Sequence, residues 1–243
     1  MLRVVILGAT SGIAQAVSRI YASEGARLML VGRNAERLEQ IAADLKLRGA
    51  AQVETAALDL EETVPQDELR SFGERLGGID HIHIAYGTMP PQTDAERDPA
   101  VTRRMISTNF TSAAEWALAS ADLLEGQHKG SLVVLGSPAG DRGRRKNYIY
   151  GATKAGLGVL VQGIAHRLAG SGARAVLVKP GPTATAMTSG MPTAGMATPE
   201  QVATLVRRAA DRGGPIQYAP TKWRIIMRIV REIPYPIFNK LNF

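Results

Sequence analysis

The chain has 243 residues, 45% of them hydrophobic, no cysteine, and 29 basic against 22 acidic side chains, a formal charge of +7. That length suits one α/β domain with a large core, and the absence of cysteine excludes disulfides and thiol catalysis. No uninterrupted apolar run approaches the roughly 18 residues of a membrane span.

Apolar runs alternate with helical periods from the start. Strands are expected at 3–7, 27–32, 52–58, 79–85, 131–137 and 174–179, with a short one near 215–218. Helices are expected at 12–24, 34–47, 65–76, 98–124, 148–169 and 198–211. Alternation of this kind predicts a single Rossmann-like, doubly wound α/β domain, with a parallel sheet of about seven strands and helices on both faces. Residue 3 already belongs to the first strand, so no secretory leader is expected and the cytoplasm is the expected compartment. Of the four histidines, His81 and His83 alternate along a strand and share a face. Their spacing is not that of a metal site, and no metal is expected. Residues 182–197, rich in Thr, Gly, Pro and Met, read as a lid. They divide a domain spanning 1–218, which is followed by a basic tail at 219–243.

The first strand runs into Gly8-Ala-Thr-Ser-Gly12-Ile-Ala14. Gly8 allows a tight turn, Gly12 lets a pyrophosphate approach the backbone, and the amides opening the helix face the phosphate charge. The second strand ends at Arg33, with no acid beside it. An acid there would accept from a ribose hydroxyl, whereas an arginine accommodates a 2′-phosphate. NADP(H) is therefore favoured, with NAD(H) open, and Thr10 and Ser11 add hydroxyl donors from the glycine turn.

Tyr150-Gly-Ala-Thr-Lys154 puts a phenol and an ammonium four residues apart, on one helix face. A free tyrosine titrates near about 10, and a neighbouring ammonium favours phenolate, so proton exchange near neutral pH is expected. Tyr148 has no lysine four residues on. Ser137 ends the run Ser131-Leu-Val-Val-Leu-Gly-Ser137, at a strand's carboxyl end, where open α/β sheets bind ligands.

Together these motifs resemble the short-chain dehydrogenase/reductase family over nearly the whole chain. The glycine turn, Asp59-Leu60, Asn109, Ser137, Tyr150, Lys154 and Pro180-Gly181 fall in the family's order. The resemblance implies an NAD(P)-dependent oxidoreductase that interconverts a carbonyl and a secondary alcohol. Tyr150 exchanges the proton, Ser137 polarises the carbonyl, Lys154 holds the nicotinamide ribose, and Asn109 supports a water relay. It also implies cofactor contacts at Gly8, Thr10, Ser11, Gly12, Ile13, Asp59 and Leu60, then at Ala85, Gly87, Pro180, Thr183 and Thr185. Two departures stand out: Ala14 replaces the third glycine, and Ile84-Ala85-Tyr86-Gly87 replaces the family's Asn-Asn-Ala-Gly. Pairing through the helices near 98–124 and 148–169 implies a homodimer or homotetramer.

The excess charge is localised. Residues 141–146 carry Arg142, Arg144, Arg145 and Lys146 against Asp141. Residues 222–243 carry Lys222, Arg224, Arg228, Arg231 and Lys240 against Glu232. These net charges of +3 and +4 account for the whole +7. No aromatic-interleaved basic stripe accompanies them, so no nucleic-acid partner is expected. Arg142, Arg144 and Arg145 could hold a substrate phosphate, and Met187 could line the substrate side of the lid. In the tail, Trp223, Ile226, Met227 and Val230 form a stripe beside Arg224, Arg228 and Arg231. Such a helix lies at a membrane surface or packs on its own sheet or on a partner subunit. The basic loop and Arg231-Glu-Ile-Pro-Tyr-Pro-Ile-Phe238 resemble the branch that reduces decaprenylphosphoryl 2-keto-ribose. That branch implies a phosphoryl- or lipid-linked keto-sugar at the inner face of the cell membrane. A soluble reductase of small ketones or 3-ketoacyl thioesters stays open, as does a non-catalytic nucleotide sensor.

Overall fold

The computed structural model describes residues 1–190 and 192–241. Seven strands form one parallel sheet: β1 (Arg3–Leu7), β2 (Arg27–Gly32), β3 (Gln52–Ala57), β4 (His81–Ile84), β5 (Gly130–Leu135), β6 (Ala173–Pro180) and β7 (Ile216–Ala219). Their order is β3-β2-β1-β4-β5-β6-β7. The chain reverses direction across the sheet between β1 and β4, and that switch point is where such folds open a ligand crevice.

Buried on both sides, inner strands such as β1 read as continuous apolar runs; Val4 to Leu7 are wholly buried, as a sheet covered on both faces requires. On one face lie α1 (Gly12–Ser23), α2 (Ala35–Leu47) and α8 (Pro199–Arg212), whose Val17, Leu38 and Val206 join Ile6 and Leu30 in one cluster. On the other lie α3 (Pro65–Leu76), α6 (Ala113–Gln127) and α7 (Tyr148–Arg167), which bury Phe72, Trp116 and Leu157 against Leu7 and Val134. Helix starts are capped as their sequences dictate. Ser11 accepts from the Ala14 amide at 3.2 Å, Asn34 accepts from that of Arg37 at 2.9 Å, and Thr198 forms a reciprocal box with Gln201.

Two segments differ from expectation. A short α4 (Gln92–Arg97) precedes α5 (Pro99–Ile106). The helix expected over 98–124 is interrupted by a π turn, Ser107–Ser112, before α6. Beyond the sheet, α9 (Lys222–Glu232) and α10 (Tyr235–Phe238) form the tail.

His81 and His83 do share a face, and Tyr21 explains why. The Tyr21 hydroxyl lies 2.8 Å from His81 Nδ1 and 2.9 Å from His83 Nε2. It donates to one imidazole and accepts from the other, so the histidines are a satisfied core pair. Burial pulls His81 down to about 4 and His83 well below its ordinary value.

Candidate active site

Ser137, Tyr150 and Lys154 converge beyond the carboxyl end of β5. Ser137 opens a short 3-10 turn, Pro138–Gly140, and its Oγ accepts from the Ala139 amide at 3.1 Å. The turn lies directly on α7 because two glycines leave room for it. A Cβ on Gly140 would stand 2.6 Å from the Ala155 nitrogen, and one on Gly151 would stand 2.7 Å from the Ala139 carbonyl oxygen. This close approach brings the Ser137 side chain near enough to the Tyr150 phenol to favour its ionised form.

The electrostatics differ from the expectation drawn from spacing. Burial raises the Tyr150 pKa, and the nearby Ser137 hydroxyl offsets only part of that rise. Lys154 does not pull it down. Its Nζ lies 5.9 Å from the tyrosine ring centre and donates to the Leu135 carbonyl at 3.0 Å. Burial also lowers the ammonium itself to about 8. Both groups have lost water, so each resists its charged form. The site therefore holds a phenol, the protonation state that a general acid needs before it gives up a proton.

Asn109 sits in the π turn, where helices often carry functional groups. Its side chain clamps the Thr88 backbone from both sides. Oδ1 accepts from the Thr88 amide at 2.7 Å and Nδ2 donates to the Thr88 carbonyl at 2.8 Å. Gly87, just before, has a φ of +155°, and a Cβ there would stand 3.0 Å from Asn109 Oδ1 and 3.6 Å from Lys154 Nζ. Asn109, Gly87 and Lys154 thus share one small space.

The glycine turn is shaped to take a dinucleotide. Gly8 has a φ of +83°, and a Cβ on it would meet Tyr86 at 2.6 Å. Tyr86 in turn bonds to Ser112 at 2.8 Å. A Cβ on Gly12 would meet Thr185 Cγ2 at 3.2 Å, so the lid begins directly over the turn. Thr10, Ser11 and Ile13 lie between and beside these glycines, at the opening of α1. Arg33 is exposed at the end of β2 and makes no hydrogen bond or ion pair among the described residues. Asp59 Oδ1 accepts from the Glu61 amide at 3.0 Å, and the Leu60 carbonyl accepts from Trp116 Nε1 and Ser112 Oγ. Ala85 is buried after β4, and its amide donates to the Leu7 carbonyl at 2.9 Å. Pro180 ends β6, and Thr183 Oγ1 donates to the Gly181 carbonyl at 2.8 Å. The lid is pinned at both ends by a parallel bridge between Thr183 and Ala197. Met187 within it is half exposed. A pyrophosphate at Gly12, a ribose beside Lys154 and a 2′-phosphate at Arg33 all fit these residues.

The basic loop needs a correction. Arg142 Nη1 donates to the carbonyls of Val230, Arg231 and Ile233 at 2.6, 3.0 and 2.7 Å. Its guanidinium also stacks over Phe238 at 3.7 Å. It caps the end of α9 instead of facing a substrate phosphate, because a helix's last carbonyls lack partners of their own. Arg145 is exposed, whereas Arg144 buries an Nε that has no hydrogen-bond partner. Both line a cavity of about 210 Å³ whose other wall includes Tyr235, Phe238 and Leu241. A larger cavity of about 510 Å³ opens between α8 and β7, away from every catalytic side chain.

Sequence reasoning missed several residues that shape the site. Gly140 and Gly151 carried no signal beyond their place beside Ser137 and Tyr150. Short α4 ties down the start of α7: Glu96 accepts from the Tyr148 hydroxyl at 3.0 Å and Gln92 accepts from the Ile149 amide at 3.3 Å. Ala95 and Met105 pack with Tyr150, giving the phenol an apolar flank. Asp141 is paired with Lys179 and accepts from the Tyr218 hydroxyl at 2.8 Å, a buried polar knot behind the basic loop.

A topological switch point, a glycine cradle and a Ser–Tyr–Lys set define a nicotinamide-dependent oxidoreductase. Residues 3–195 match the profile of the short chain dehydrogenase family, and the chain belongs to that family. It is 35% identical over 242 residues to an uncharacterized oxidoreductase of Streptomyces coelicolor, covering 97% of this chain and 94% of that one. A solved short chain dehydrogenase/reductase family protein is similar at 30% identity and a TM-score of 0.75, covering 90% of this chain and 95% of that one. An alcohol dehydrogenase of the archaeon Thermococcus sibiricus, solved in complex with 5-hydroxy-NADP, shares the fold. Its TM-score is 0.79 at 24% identity, covering 90% of this chain and 96% of that one.

Proposed function

We propose that the protein is an NADP(H)-dependent reductase that converts a carbonyl to a secondary alcohol, acting on a phosphoryl- or lipid-linked keto-sugar. The observation that carries the chemistry is the Ser137 turn seated directly on α7, which carries Tyr150 one helical turn from Lys154, itself beside Gly87. When bound, the nicotinamide supplies the hydride. Ser137 polarises the carbonyl oxygen and Tyr150 protonates it. Lys154, freed of any carboxylate partner among the described residues, offers donors to ribose hydroxyls. Asn109 keeps the neighbouring loop in place. Arg33, exposed and unpaired, supports the choice of NADP(H), as does the bound ligand of the archaeal relative in fold.

The substrate reading rests on the cavity between the basic loop and α10. Its buried, unpartnered Arg144 Nε suits an anionic oxygen, and its aromatic and aliphatic wall suits an attached chain. The runner-up substrate is a small ketone or a 3-ketoacyl thioester. Exposed Leu118 on α6 and Val159 on α7 support pairing of two or four copies through those helices.

The deciding experiment follows NADPH oxidation with polyprenylphosphoryl keto-sugars, keto-sugar phosphates, simple ketones and 3-ketoacyl thioesters. Turnover confined to the phosphoryl compounds supports the proposal. Turnover with simple ketones or thioesters alone returns the runner-up. Tight NADPH binding with no turnover on any of them points to a nucleotide sensor.

A further inference from the structure

We infer that the outward face of α9, continued by α10, docks on an anionic lipid surface. The inference stands on the tail alone and does not rest on the substrate reading.

The tail helix has two apolar faces. Trp223, Met227 and Val230 turn toward the protein: Met227 is buried, and the Trp223 indole lies over Gly181, where a Cβ would overlap it. Three members of the stripe expected from sequence are therefore used in packing. The opposite face remains. Ile225 and Ile229 are four residues apart and share it, at 67% and 62% exposure. Ile226 adds a partly exposed edge, and Tyr235 and Ile237 extend the apolar surface at 73% and 56% exposure. Single exposed apolar residues are ordinary. A paired set that continues over two successive helices marks an interaction site.

Charge selects the occupant. Lys222, Arg224 and Arg228 are exposed on α9 and make no ion pair among the described residues. Arg224 and Arg228, four apart, run alongside the Ile225–Ile229 pair. Glu232 is the only acid from residue 222 onward. A second copy meeting this face would bring the same positive charge against it. An anionic bilayer offers the apolar layer and the opposite charge together. The face is also preformed. Arg142 caps α9 and stacks on Phe238, so docking need not first order the helix.

The test uses the full chain, co-sedimented with vesicles of phosphatidylcholine alone or mixed with phosphatidylglycerol. Binding is expected to be stronger to the mixed vesicles than to phosphatidylcholine alone. It should weaken as salt rises from about 0.05 to about 0.5 M without vanishing, because charge is screened and apolar burial is not. The double change Ile225→Ser with Ile229→Ser should lower vesicle partition by about tenfold or more, with an unchanged melting temperature. Arg224→Gln with Arg228→Gln should remove much of the preference for the anionic lipid. The inference fails if the intact protein stays in the supernatant at low salt, or if the isoleucine variant pellets like wild type. It also fails if that variant falls to a smaller mass by light scattering, which would assign the face to another copy of the chain.

Discussion

Gly140 and Lys154 meet backbone to backbone: a Cβ on Gly140 would stand 2.7 Å from the Lys154 carbonyl carbon. The turn carrying Ser137 is therefore seated on the helix carrying Tyr150 with no side chain between them. Gly140→Ala should force the two apart. The expected cost is about 1–3 kcal/mol of stability, and misplacing Ser137 by about 1 Å should lower kcat by up to about 100-fold. Gly126→Ala, in a helix with nothing near its Cβ position, is the control and should be neutral or slightly stabilising. Steady-state kinetics and thermal melts of both variants check this; an unimpaired Gly140→Ala enzyme would remove the glycine from the account.

Tyr150→Phe keeps the ring and deletes the proton donor. We expect kcat to fall by about 100- to 10,000-fold, while NADPH binding, measured by fluorescence titration, stays within about threefold. Retained turnover would shift the acid role to another group, and Tyr148, bonded to Glu96, is the one to examine next.

Much of this site was legible because its signals are local. The glycine turn sits between an apolar run and a helical period. Tyr150 and Lys154 are one turn apart, and inner strands such as β1, β2, β5 and β6 announce themselves as buried apolar runs. Other features depend on contacts that no local pattern encodes. Arg142 caps a helix whose last carbonyls lie 88 or more residues away in sequence. The π turn around Asn109 has no period of its own to read. Helix α4 spans only six residues behind Pro90-Pro91, too few to show a face. The titration of Tyr150 departs from its spacing for a related reason: spacing places Lys154 nearby but says nothing of how much water both groups lose.

Arg33 should decide cofactor choice. The wild type is expected to bind NADPH more tightly than NADH. Arg33→Asp should weaken NADPH by about 1.5–3 kcal/mol through loss of a charge-assisted contact, reversing the preference. Calorimetric titration of both nucleotides checks it, and a wild type that prefers NADH would contradict the assignment.

Asp141 and Lys179 are a buried pair, with side chains only 3% and 9% exposed. Asp141→Asn strands the ammonium and should cost about 3–5 kcal/mol. Asp141→Leu combined with Lys179→Met should recover most of that loss, because no unpaired charge remains. Denaturant unfolding of both variants is the measurement, and a single variant as stable as wild type would show that the pair is not desolvated.

Acid should weaken the fold through the Tyr21 pair. His81 and His83 are held neutral below their ordinary values, His81 near about 4. As pH falls below about 6.5 the unfolded chain takes up protons that the folded chain refuses, so stability drops with pH. For His81 alone the loss at pH 5 is about 2 kcal/mol, levelling off as pH passes its folded value. Unfolding midpoints at pH 7.5 and pH 5 should differ accordingly, and His81→Gln should flatten the slope. A wild type equally stable at both would mean that water reaches the pair.

Thr183 bridges to Ala197, and the Ala184 and Ala197 amides donate to Ala197 and Pro182 carbonyls. These bonds fix the span between the two ends of the lid independently of what lies inside. The interior then behaves as an exchangeable cassette. Its length and chemistry can drift over generations, or be grafted at the bench from another reductase, without re-tensioning β6 or α8.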